Sequence, residues 1–175
     1  MKKLLAVVGL MILAGKVMAA NPATLVLKVT PGGITKDVTL SQATLQFGTL
    51  ALGLADTVSS SVTVTNNGNI ITTYALRINP VGGTTWTAAA AAGADTYNLR
   101  ALFKDATAVV ANFALDDDMT TTSTSATGAI YSDGTVGSGV NVIAAAKRGL
   151  WFKLNMPTAT SQVGEQNINV EILAQ

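Results

Sequence analysis

The sequence predicts an all-β chain folded as a single antiparallel β-sandwich of roughly eight to ten short strands. Three observations carry this. Apolar and polar residues alternate with a period of two in several short runs, among them Val62-Thr63-Val64-Thr65 and Leu150-Trp151-Phe152-Lys153-Leu154. That is the pattern of a strand with one buried face. Turn-forming groups such as Pro31-Gly32-Gly33, Asn67-Gly68 and Asp133-Gly134 punctuate the runs, and Thr and Val, stiff at the β-carbon, suit a pleated backbone. No helical period extends over a useful length.

The first 19 residues read as a secretory signal peptide. Lys2 and Lys3 precede the apolar run of residues 4–14, which is too short to span a bilayer, and Val17-Met18-Ala19 has the small-x-small form of a cleavage site. The expected mature chain begins at Ala20 or Asn21. It carries no membrane span and is secreted, to the extracellular medium or the cell surface. Three of the 11 basic residues, Lys2, Lys3 and Lys16, leave with the signal, so 8 face 10 acidic ones. No basic patch remains, and nucleic acid is set aside as a partner.

Residues 20–33 form the first mature segment, an N-terminal strand and hinge. Within 23–30 (ATLVLKVT), Leu25, Leu27 and Val29 share one face, and Pro31-Gly32-Gly33 ends the strand. The sandwich domain is assigned to residues 34–175. Residues 34–40 and 43–47 are short strand candidates. Residues 61–65 and 72–78 read as a β-hairpin reversing at Asn66-Asn67-Gly68-Asn69, residues that tolerate positive φ. A turn at 79–83 leads to a short strand at 84–87. The Ala-rich stretch 88–94 reads as a loop with room for one helical turn.

Residues 97–104 and 107–113 read as a second hairpin about Asp105-Ala106. Residues 115–125 form a long polar loop. A strand is expected at 126–131, a turn at 132–134 and a flexible point at 137–139, while 140–148 stays open between helix and strand. Residues 150–156 alternate with Leu150, Phe152, Leu154 and Met156 inward. The last strand, 166–173, places Ile168, Val170 and Ile172 inward.

Composition narrows the function classes. The chain has no Cys and no His. It therefore lacks thiolate ligands, a Cys nucleophile and the side chain most used as general base and neutral metal ligand. No enzyme activity and no cofactor are expected. A Thr- and Gly-rich exported chain with few charges fits a surface or fibre protein.

Phe47-Gly48, Gly53 and Val62-Thr63-Val64-Thr65-Asn66-Asn67-Gly68-Asn69 resemble a pattern recurrent in bacterial surface Ig-like sandwiches, a strand ending in F-G, a glycine, then V-T-V-x-N-x-G. More loosely, the segment is similar to the corresponding part of camelysin/TasA-type biofilm-fibre subunits. The resemblance covers about 30 of some 155 mature residues. It implies an Ig-like or jelly-roll fold and a structural or adhesive role, with filament assembly as one option.

Four candidate sites follow. Leu25, Leu27 and Val29 suit a donor strand that completes a neighbouring subunit's sheet, so the expected partner is a copy of the same chain. Asp116, Asp117 and Asp118, with Asp133 nearby in sequence, are candidate ligands for a hard cation, although the spacing lacks the calcium-loop pattern. Trp86 and Trp151, joined by Tyr131, are candidate stacking surfaces for glycans. Lys28, Lys36, Lys104 and Lys153 are candidate donors of an isopeptide cross-link, with no partner selected by the sequence. The leading expectation is a secreted, self-assembling filament subunit. The alternative is an adhesive or carbohydrate-binding module at the cell surface.

Overall fold

Period-two alternation becomes strand where an edge finds a partner. The computed structural model describes residues 32–81 and 85–175, and residues 33–175 form one compact unit. Among the described residues there are nine strands: β1 (Val38–Leu40), β2 (Thr57–Val58), β3 (Val62–Asn66), β4 (Tyr74–Asn79), β5 (Thr87–Ala88), β6 (Thr96–Phe103), β7 (Thr124–Ser125), β8 (Lys147–Asn155) and β9 (Asn169–Ala174). Single 3-10 turns lie at Val110–Asn112 and Leu115–Asp117. The chain is thus nearly all β, as its composition predicts. The candidate strand at 23–30 lies outside the described residues.

The strands form two sheets. The first has the order β1-β3-β8-β6-β5, with β2 also pairing with β8, and the second has the order β7-β4-β9. Every pair is antiparallel except β5 and β6. Side chains of both sheets meet in one core cluster, including Val64 and Phe152 from the first and Tyr74, Leu76 and Ile78 from the second. Burying each such large side chain stabilises the fold by about 1.5–3 kcal/mol. In β8 the inward set is as the alternation predicts: Leu150, Phe152 and Leu154 are buried.

The expected hairpin about Asn66 to Asn69 does not form. β3 pairs with β1 and β8, whereas β4 pairs with β7 and β9. The intervening residues carry the chain from one sheet to the other. Asn66 holds this crossing together. Fully buried, it donates from Nδ2 to the carbonyls of Ile70 and Val142, both at 2.8 Å, and its Oδ1 accepts the Gly68 N–H. These bonds satisfy backbone groups of the crossing and tie it to Val142.

Gly68 sits where the strand leading into β1 passes closest. A β-carbon there would lie 2.4 Å from the Thr35 carbonyl oxygen, a backbone atom that cannot swing away. Gly68→Ala is therefore expected to cost about 1–3 kcal/mol by overpacking, read as a lower urea midpoint at unchanged slope.

Other expected strands yield to local capping. At 107–113, the Asn112 Oδ1 accepts the Val109 N–H and closes a 3-10 turn. At 126–131, Thr127 Oγ1 accepts the N–H groups of Ala129 and Ile130, and Tyr131 has φ 55°, outside the strand region. Residues 43–47 form no ladder, although Leu45 and Phe47 pack on the core. The stretch 88–94 forms no helix. The polar stretch 115–125 is not wholly exposed, since Asp117 and Met119 are buried.

Candidate assembly groove

β4 and β9 are neighbours, yet they differ in burial. Four of six β4 residues are buried, whereas all six in β9 are only half-buried. Among the described residues β9 has a ladder on one side alone, to β4. Its inward residues Val170 and Ile172 face an open cavity of about 840 Å³. Val62, Leu150, Phe152 and Leu154 of the first sheet form the opposite wall, and residues 42–50 run along it. At the rim, Leu40 and Leu52 remain 41 and 49 % exposed.

Leu40 belongs to β1, which among the described residues is the edge strand of the first sheet and pairs only with β3. The groove thus lies between two strands, β1 and β9, each with a free edge among the described residues. An unpaired edge presents a row of backbone donors and acceptors, ready to accept another strand. Apolar walls with free backbone on either side are what an extended segment with alternate apolar side chains can fill.

The start of the described chain is remote from this groove. The Gly33 carbonyl accepts from Asn69 Nδ2 and the Thr35 carbonyl accepts from the Asn69 N–H, so the chain enters beside the far end of β3. From there it runs antiparallel to β3 until Leu40 pairs with Val64. Seven residues of extended chain separate Gly33 from Leu40, roughly 23 Å at 3.3 Å per residue.

The candidate residues of the sequence reading fall in several places. Leu25, Leu27 and Val29 lie outside the described residues. Asp116, Asp117 and Asp118 do not converge. Asp116 is exposed. Asp117 is fully buried and accepts the N–H groups of Ala114 and Tyr131 at 2.7 and 2.6 Å. Asp118 pairs with Arg100 at 2.7 Å and accepts from Asn98. Among the described residues no three carboxylates are grouped to hold a metal ion. The cause is local: successive side chains around a 3-10 turn diverge by about a third of a circle.

Burial pushes the Asp117 carboxyl up to about 6, against the lowering effect of its backbone hydrogen bonds. Burial also acts to raise the Asp133 carboxyl, but hydrogen bonds from Lys104 and Thr135 outweigh it, and the net direction is down.

The two tryptophans do not share a surface. Trp86 lines the groove and donates from Nε1 to Thr160 Oγ1 at 2.9 Å. Trp151 is on the outer face of β8, as its register predicts, but it packs against a separate cluster of Leu102, Ala108 and Phe113 and donates to the Lys104 carbonyl. Tyr131 is fully buried. Of the candidate lysines, Lys153 pairs with Asp56 at 2.9 Å and Lys104 with Asp133.

The groove walls went unread in the sequence because they come from distant segments. The available signal was the density of apolar residues at Leu40, Leu45, Phe47, Leu50 and Leu52, broken by Gly48 and Gly53, both at positive φ.

Fold and site together define a nearly all-β, two-sheet chain with an apolar groove between strand edges that are free among the described residues. No described helix is long and apolar enough to cross a membrane. Comparison with known protein families, curated proteins and solved structures finds no match to this chain.

Proposed function

We propose that this chain is a secreted structural subunit, a β-sandwich of Ig-like or jelly-roll type that polymerises into an extracellular filament. The N-terminal strand of one copy, with Leu25, Leu27 and Val29 directed inward, occupies the groove of the next. The carrying observation is the open apolar groove between the edges of β1 and β9, both free among the described residues. The resemblance to camelysin/TasA-type fibre subunits supports the same reading.

Chain reach favours insertion into a neighbour. A strand that turned back at Pro31-Gly32-Gly33 would have to cover roughly 23 Å to reach the level of Leu40. Six residues, from Gly33 back to Leu27, extend about 20 Å. Only Leu25 would arrive at the mouth of the chain's own groove. In a neighbour all three side chains can enter, and such head-to-tail contacts do not close, so they give a fibre.

The test is negative-stain microscopy and sedimentation of the mature protein over a range of concentrations. Unbranched polymers are expected, and Ile172→Asp should suppress them without unfolding the subunit. A chain that stays monomeric at every concentration would overturn the reading.

A further inference from the structure

Two side chains converge on one carboxylate oxygen of Asp133 near the end of β6, and we propose that the three groups make a self-catalysed amide cross-link between Lys104 and Asn112. Lys104 Nζ contacts Asp133 Oδ2, and Asn112 Nδ2 donates to the same oxygen at 3.1 Å. The Lys104 and Asp133 side chains are only 12 and 10 % exposed.

Each partner has the role that aminolysis requires. Lys104 is the nucleophile, and its backbone is pinned on both sides: its N–H donates to Gly149 and its carbonyl accepts from Trp151 Nε1. Asn112 is the electrophile. Its Oδ1 accepts the Val109 N–H at 2.9 Å, which draws electrons from the carboxamide carbon and steadies the oxyanion formed on attack. Asp133 is the proton carrier, fixed in place by bonds from the Thr135 N–H and hydroxyl to its Oδ1. The departing nitrogen already rests on the oxygen that carries the proton.

The resting form is the ion pair, so the first step is transfer of one proton from Lys104 Nζ to Asp133 Oδ2. The freed lone pair attacks Asn112 Cγ, and the Cγ–Nδ2 bond breaks. Lys104 gives up two protons in all. Asp133 passes both to the departing nitrogen, which leaves as ammonium, and ends as the carboxylate it began as. One C–N bond forms, one breaks, and nothing is oxidised or reduced. The product ties down residues 105–113, the segment whose Ala108 and Phe113 cover Trp151 and Leu102.

Mass spectrometry decides the matter. The denatured wild-type protein is expected to be lighter than its mature sequence by one ammonia. A tryptic digest should contain a branched peptide joining Lys104 to Asn112, with no cleavage after Lys104. Lys104→Arg keeps the ion pair but should have the full sequence mass, as should Asp133→Ala. Full mass in the wild type would overturn the proposal. So would loss of ammonia without a branched peptide, which marks a succinimide, or loss of water, which marks a bond from Lys104 to Asp133.

Discussion

Deleting residues 20–30 is expected to abolish polymerisation while leaving the two sheets of residues 33–175 folded. The proposed donor strand contributes Leu25, Leu27 and Val29 to a neighbour's groove. Burial of three such side chains is worth roughly 5 kcal/mol before the cost of association is subtracted. The truncated subunit retains its groove, with the half-buried Val170 and Ile172 on one wall. A synthetic peptide of residues 20–30, added in excess, should therefore bind and raise its melting temperature. The same peptide with Leu27→Asp should bind at least 30-fold more weakly, since about 2 kcal/mol of burial is lost and a charge meets an apolar wall. Persistent polymers after truncation would place the contact elsewhere. Unfolding of the truncated subunit, with no response to peptide, would make the segment part of its own sheet.

How much of this was legible in the sequence depended on the range of the forces involved. The inward set of β8 could be read because period two reports which face of a strand is buried. The same signal does not report which sheet a strand joins. Val62, Val64, Leu76 and Ile78 were correctly read as inward, yet the segments holding them lie in different sheets. Locally, Asn66 to Asn69 has the chemistry of a reversal. What makes it a crossing is Asn66 reaching Val142, 76 residues away. The 3-10 turn at Asn112 was missed for the opposite reason: a one-residue side-chain cap defeated a weak strand preference. The groove was illegible because its walls come from residues 42–50 and 164–172, and no local pattern pairs them.

Lowering the pH from 7 to 5 is expected to stabilise the subunit, contrary to the usual behaviour of acidic groups. The cause is Asp117. Its carboxyl is fully buried, and burial lifts its pKa from 3.8 to about 6. Between those values the native state holds a proton that the unfolded chain has released, so stability rises as pH falls through the interval. The full gain is on the order of 3 kcal/mol. The hydrogen bonds from Ala114 and Tyr131 survive protonation, because each carboxyl oxygen has a second lone pair. Asp133 and Glu171 act in the opposite sense. Both are lowered, Glu171 by the side chain of Arg77 first and then Asn79, so their contribution is lost only as pH falls below the ordinary carboxylate range. Stability should consequently peak near pH 4–5 and fall on the acid side. Asp117→Asn separates burial from charge. Its amide nitrogen has no lone pair to offer, so one backbone N–H is left buried without its acceptor, at a cost of about 1–3 kcal/mol. The variant should also lose the rise between pH 7 and 5. Urea midpoints measured at half-unit intervals from pH 4 to 7.5 would show both effects. A wild-type profile that is flat or falling from pH 7 to 5 would mean that the backbone hydrogen bonds, and not burial, govern Asp117.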